Sequence, residues 1–245
     1  MNGFHKTIFM KKALPNDVYE LLADNYSKMI ETKPHNAYYE RPAMQSLLPD
    51  VTMKTILDAG CGPGIYAQLL VQRGAQVIGI DASEKMLTHA RKRLGDAATF
   101  LLANMDEPMS LFENQMFDGI LSPLAISYVE KLDNLFAEFC RILRPNGWFI
   151  FSTEHPFFSY NYFGLSNYFE QRQIACEWNG FGIPVTMPSY YRSLGALTGA
   201  LTDNGFIIEK ILEPKPTEEF KDKDPRHYLK LMDFPGFICI KARKI

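Results

Sequence analysis

Cysteine is scarce in this chain and never clustered. The four, Cys61, Cys140, Cys176 and Cys239, lie far apart and form no C-x-x-C pair. Together with five scattered histidines they leave no zinc-ligand spacing. A reduced, cytoplasmic compartment fits that usage best. No apolar run approaches the ~18 residues that a membrane span needs. Residues 1–15 read as loosely structured, and Met1–Leu14 lacks the apolar core of a leader peptide. Net charge is only −2 over 245 residues, so no global positive field draws the chain to nucleic acid or an anionic membrane. Internal repeats and low-complexity tracts are missing too. What remains is ordinary globular composition, 47% apolar and 22% charged, enough for one large domain or a domain with a cap.

The informative stretch is Thr55-Ile-Leu-Asp-Ala-Gly-Cys-Gly-Pro-Gly64. An apolar pair runs into Asp58, and three glycines follow at alternate positions. This reads as a buried strand, a glycine loop and a helix from about Ile65. Glycine serves where backbone turns with positive φ or must approach a ligand without a Cβ between. The dinucleotide fingerprint is G-x-G-x-x-G; here the third glycine falls one position earlier. A carboxylate at the loop entrance repels a diphosphate and suits an ammonium group. Cys61 sits where a small side chain is wanted.

Strand and helix then alternate. Gln76–Ile80 is a second strand ending on Asp81, about 20 residues past the loop, where a carboxylate grips ribose hydroxyls. Ser83 caps a helix bearing Met86 and Leu87. Thr99–Leu102 delivers Asn104 and Met105 to the same edge, and Phe117–Ser122 delivers Ser122. A helix over Leu132–Leu143 stops at Pro145-Asn-Gly147, and Trp148–Phe151 is a fifth strand. Upstream, a helix begins at Asn16 or Asp17 and a second covers Tyr39–Leu48. The chain ends on two further strands, Gly205–Leu212 and Phe234–Ala242, with no helix between them; Glu213–Asp224 reads as a solvated connection. The alternation predicts a mostly parallel α/β sheet with helices on both faces.

Asp58 to Gly64 resembles motif I of the class I S-adenosylmethionine (SAM)-dependent methyltransferases. Leu143-Arg-Pro-Asn-Gly147 before an aromatic strand resembles that family's L-x-P-G-G step, and the antiparallel ending is similar as well. The likeness is nearest to the small-molecule branch of the ubiquinone and menaquinone methyltransferases. It implies a Rossmann-like sheet with an antiparallel last strand, a helical cap over residues 1–50 and a SAM-binding domain over 51–245. It also implies SAM as cofactor, with S-adenosylhomocysteine as product. Tyr26, Asp58, Gly60, Cys61, Gly62, Asp81, Ala82, Met86, Asn104, Met105 and Ser122 are the residues expected to line the cofactor site. Many relatives carry aspartate at Asn104; the asparagine carbonyl accepts the same adenine hydrogen bond at lower strength.

Residues 157–192 hold 11 aromatic side chains in 36 positions, about 30% against 13% for the chain, with no lasting period. A lid insertion at about 156–193 that walls a small aromatic or apolar acceptor is one reading, and a satellite core under a long loop is the other. Tyr39, Arg41, Tyr128, Phe157, Tyr191 and Arg192 are the substrate-side expectations; ordinary packing for the tyrosines and ion pairs for the arginines stay open. His155 is the candidate base, with Glu154 to orient it or hold the substrate. His35, His89 and His227 have weaker claims. The acidic magnesium pattern of catechol-type methyltransferases is not apparent, so no metal is expected. Two other functions stand beside methyl transfer: a SAM sensor or scaffold without transferase activity, and a nicotinamide-dependent oxidoreductase, disfavoured by Asp58, the glycine spacing and the ending. The acceptor atom and the oligomeric state stay open.

Overall fold

The computed structural model describes residues 15–245. The expectations for the segment before Pro15 lie outside them. Seven strands form the main sheet: β1 (Thr55–Ala59), β2 (Gln76–Asp81), β3 (Thr99–Leu102), β4 (Phe117–Pro123), β5 (Leu143–Glu154), β8 (Phe206–Leu212) and β9 (Phe237–Lys244). Their spatial order is β3-β2-β1-β4-β5-β9-β8. β1 to β5 run parallel, and β9 is inserted antiparallel between β5 and β8.

The central strands are almost wholly buried because helices cover both faces of the sheet. β5 is buried without a break from Gly147 to Thr153. On one face, α5 (Leu132–Ile142) and α7 (Leu194–Asp203) seat Phe136, Phe139, Leu197 and Leu201 against Phe149 and Phe151. On the other, α2 (Arg41–Leu47), α3 (Ile65–Gln72) and α4 (Glu84–Leu94) seat Met44, Leu70 and Leu87 against Ile56 and Ile150. Each such side chain contributes roughly 1.5–3 kcal/mol by leaving water. Gly119 of β4 faces Trp148 of β5, and a Cβ there would stand 2.1 Å from the indole. Only glycine lets that ring lie across the strand.

Two stretches differ from the sequence expectation. Residues 157–192 are not aperiodic: α6 (Pro156–Tyr162) leads into an antiparallel hairpin of β6 (Arg172–Trp178) and β7 (Val185–Tyr191). The last two main-sheet strands are joined not by a plain solvated connection but by α8 (Glu218–Lys223) and α9 (Pro225–Asp233), which bury Phe220, Tyr228 and Leu231. The segment expected as a helix over Tyr39–Leu48 is a π-helical turn at Asn36–Glu40 followed by α2.

The first helix, α1 (Pro15–Met29), buries Val18, Leu22 and Ala23. Val18 and Leu22 pack on Phe181, Val185 and Met187 of the hairpin segment. Its polar side is fixed to α4, where Ser83 Oγ donates to Glu20 Oε2 at 2.5 Å and His89 Nε2 meets Asp24 at 2.8 Å. Thus α1 joins the hairpin to the sheet edge.

Candidate active site

After β1 the chain turns through Gly60, Gly62 and Gly64 at φ of 76°, 52° and 81°. These are left-handed values that a side chain disfavours. At Gly60 an added Cβ would stand 2.4 Å from the Cβ of Ala125, so the loop presses on the turn after β4. At Gly62 a Cβ would meet nothing within 4 Å, so this part of the loop faces open space. Beneath the loop, Asp58 is fully buried and neither carboxylate oxygen has a hydrogen-bond partner of ordinary geometry. Burial lifts its pKa to about 7; the Ala67 N–H opposes that rise and Asp81 adds to it. An uncompensated buried carboxylate below an open glycine loop fits a cationic ligand group, as the ammonium of SAM is.

Asp81 ends β2 as expected and straps the loop to it. Its Oδ2 accepts from the Gly62 N–H at 2.8 Å and its Oδ1 from the Ser83 N–H at 2.9 Å. Burial raises its pKa, and these amide hydrogen bonds oppose the rise. A cleft of about 140 Å³ lies over this edge. Tyr26, Gly60, Gly62, Asp81, Ala82, Met86, Asn104 and Met105 line it. Three expected residues do not reach its wall. Asp58 lies below the loop. Cys61 turns into the core beside Gly79, and Ser122 is buried with its Oγ donating to the Ala59 carbonyl at 2.9 Å. Asn104 Oδ1 accepts the Asp106 N–H at 3.1 Å. The sequence reading missed Tyr19, Asp106 and Val129, which also line the cleft.

A second cavity, about 460 Å³, opens between the sheet end, α6, the hairpin and α9. Tyr39, Tyr128, Tyr191, Arg192 and Glu154 of the expected set line it. Tyr128 lines both cavities, and its hydroxyl accepts a hydrogen bond from the Tyr19 hydroxyl at 2.9 Å. Glu154 is half-buried, and burial lifts its pKa above the usual carboxylate value while the Ser127 and Thr153 hydroxyls pull it back. Arg192 is buried and forms no ion pair among the described residues. Its guanidinium donates to the carbonyls of Val129 and, at 2.8 Å, Glu130, and burial lowers its pKa to about 10.

The remaining expected residues are placed elsewhere. His155 lies on the wall of neither cavity. It caps α6: its Nδ1 accepts from the Phe157 N–H at 3.2 Å, which leaves the proton on Nε2, 2.9 Å from Glu213. Burial lowers its pKa. With both nitrogens engaged, it offers no free base. Phe157 stacks on Tyr168 and is 44% exposed outside the chamber. Arg41 donates to the carbonyls of Ile30 and Glu31, closing the turn after α1. Among the described residues no group of three or more His, Cys, Asp or Glu side chains is arranged to hold a metal ion.

Known proteins carry the same architecture. The methyltransferase domain family matches residues 57–151. Over 237 residues the chain is 33% identical to an uncharacterized protein of Haemophilus influenzae, covering 86% of this chain and 89% of that one. It is 36% identical over 104 residues to a malonyl-[acyl-carrier protein] O-methyltransferase of Hamiltonella defensa, 42% of this chain and 39% of the relative. The match thus spans less than half of that named relative. The fold superposes on an S-adenosylmethionine dependent methyltransferase from Mesorhizobium loti with a TM-score of 0.69 and 28% identity, over 88% of this chain and all of that one. The family match runs from the strand before the glycine loop into β5, the stretch that supplies most of the cleft wall, while the likeness of fold runs nearly the length of the chain: the protein is a member of the class I SAM-dependent methyltransferases.

Proposed function

We propose that the protein transfers the methyl group of SAM to a small, largely apolar acceptor held in the 460 Å³ chamber. The observation that carries this reading is the shared wall: the cofactor cleft and the chamber meet at Tyr128. In this reading Asp81 holds the ribose hydroxyls, and the Gly60–Gly62 backbone with Asp58 beneath it receives the amino-acid end. Tyr26, Met86, Asn104 and Met105 enclose the adenosine. Bound SAM supplies an activated methyl on a sulfonium, so the protein has only to align the acceptor, exclude water and manage a proton.

Glu154 takes the part first given to His155. A carboxylate whose pKa is raised by burial is a stronger base than one in water. Facing the chamber beside Tyr128, its carboxylate is placed to receive the proton of an acceptor hydroxyl or carboxylic acid. Oxygen is the favoured acceptor atom, because the malonyl-[acyl-carrier protein] relative is an O-methyltransferase. In this reading the described part of the expected cap, residues 15–50, covers the domain over 51–245, and 156–193 act as its lid. On the same reading the reaction is cytoplasmic and does not involve nucleic acid; the scattered cysteines and the small net charge support it.

The test is calorimetric titration with SAM, S-adenosylhomocysteine, NAD and NADP, in the wild type and in Asp81→Ala. Binding of the two adenosyl ligands alone, weakened at least about tenfold in the variant, is the expected result. Binding of a nicotinamide alone overturns it. SAM binding without methyl transfer to any hydroxyl or carboxyl acceptor in a screen favours the sensor instead.

A further inference from the structure

The ionisable groups of the chamber are sorted by place. Glu154 and Tyr128 both line the chamber, and Tyr128 also lines the cleft. Another part of the wall carries three basic side chains brought together from sequence positions nearly 200 apart: His35, ahead of the π-helical turn, and His227 and Lys230 of α9. The rings of His35 and His227 lie 5.4 Å apart. His35 is half-buried, packs edge-on against Phe220 at 5.1 Å and makes no capping hydrogen bond. His227 turns Nδ1 to Asp224 at 2.6 Å, which fixes the ring and leaves Nε2 without a partner among the described residues. Lys230, one turn further along α9, is exposed and forms no ion pair among the described residues.

His35 packs on Phe220 and His227 pairs with Asp224, but none of the three side chains caps a helix. The cap of α9 is Asp224, whose Oδ1 accepts the His227 N–H at 3.1 Å. Packing them together is unfavourable by itself: the His35 pKa is lowered first by burial and then by His227, with Lys33 adding and Asp224 opposing. Elsewhere on the wall, Glu177 is engaged by the Thr186 hydroxyl at 2.6 Å and Arg192 by backbone carbonyls. The basic trio is therefore the part of the chamber that gains most from an anion, since Lys230 there has no ion-pair partner among the described residues.

We propose that His35, His227 and Lys230 form an anion subsite, and that the natural acceptor is an apolar molecule bearing a carboxylate that docks there while its reacting end lies at Tyr128 and Glu154. This rests on the chamber being the acceptor site. It narrows the substrate class from apolar molecules in general to carboxylate-bearing amphiphiles. A cavity of this size accommodates such a body.

The experiment uses the whole protein and a matched pair of competitors. N-Phenyl-1-naphthylamine, a neutral fluorescent probe of apolar cavities, is displaced with decanoate or with 1-decanol in the wild type and in the triple variant His35→Gln, His227→Gln, Lys230→Gln. The expected wild-type preference for decanoate is about tenfold, as for a charge-assisted contact in a partly dry site. In the triple variant it falls to within about twofold, with decanol unchanged. Lys230→Gln alone, at an exposed position that leaves the fold intact, removes about threefold of the preference. Equal displacement by the two competitors in the wild type overturns the proposal. So does a preference that survives in the triple variant, which would put the carboxylate at Arg192. SAM titration of the same samples keeps the two readings apart: absent SAM binding with a retained decanoate preference sinks methyl transfer and not the subsite, and the converse sinks the subsite alone.

Discussion

Asp58→Asn offers the sharpest test of how the cofactor site is built, because it separates stability from binding. The carboxyl is fully buried with no hydrogen-bond partner of ordinary geometry, the Ala67 N–H only partly offsetting burial, and its pKa stands at about 7 against an ordinary 3.8. A group whose folded-state pKa is raised stabilises the fold only while protonated. That contribution is complete below the unfolded value and is lost as pH climbs to the folded one. The interval from 3.8 to about 7 corresponds to about 4 kcal/mol lost by the ligand-free protein above neutrality. Asparagine keeps the shape and removes the charge, at a cost of about 1–3 kcal/mol for a poorly bonded buried amide. Near pH 8 the variant should therefore be more stable than the wild type by about 1–3 kcal/mol. Below pH 7 the difference should shrink by about 1.4 kcal/mol per pH unit and reverse between about pH 6 and 4.5. Urea unfolding of both ligand-free proteins across this range measures it. Glu40, raised to about 7 by the same cause, contributes equally to both and cancels. SAM affinity should move the other way, weakening at least about tenfold as the counter-charge to its ammonium is removed. Stability curves that run parallel across the range would refute the reasoning, since the carboxylate would then not be an uncompensated buried charge.

Glu154→Gln should lower kcat about 10²-fold on an oxygen acceptor with SAM affinity within about twofold, and should abolish the acid limb of the pH–rate profile. That limb belongs above the ordinary carboxylate pKa, because burial raises Glu154, and activity is lost as pH falls through it. His155→Ala should cost about 1–2 kcal/mol of stability through the lost cap of α6, measured by urea unfolding, while kcat stays within a few-fold. Gly60→Ala should lose SAM binding by calorimetry, because the new methyl would strike Ala125 at a φ of 76°.

The parallel sheet was legible because each of its strands is a short apolar run ending on a polar residue or a turn. Asp81 and the glycines were legible for a related reason: their work is local, set by the strand they terminate. The hairpin was not. β6 does alternate, with Ile174, Cys176 and Trp178 directed inward, but Pro188 in β7 argues against a strand and hid its partner. α8 and α9 were hidden by charge, since only Phe220, Tyr228 and Leu231 are buried along them. His155 misled because the residue that occupies it, Glu213, lies 58 positions away. Tyr19 was passed over for the same physical reason. Its partner Tyr128 is 109 positions distant, and nothing in a helical period reveals which face meets a cavity.

The cleft and the chamber are built from different parts of the fold. The cleft is made by strand ends whose positions the sheet dictates, so a change there disturbs the fold as well as the ligand. The chamber is walled by α6, the hairpin and α9, elements that hang on the sheet and can be recast without touching it. One element belongs to both. α1 sends Tyr26 and Tyr19 to the cleft, rests Val18 and Leu22 on the hairpin, and meets the chamber through the Tyr19–Tyr128 hydrogen bond. Tyr26, on the cleft wall, has its ring 4.8 Å from that of Phe181 in the hairpin segment. A ligand that fixes α1 over the cleft thereby fixes one wall of the chamber. In the proposed function, coupling of this kind is reciprocal in binding free energy, so an acceptor that fits the hairpin should also tighten the hold on the cofactor.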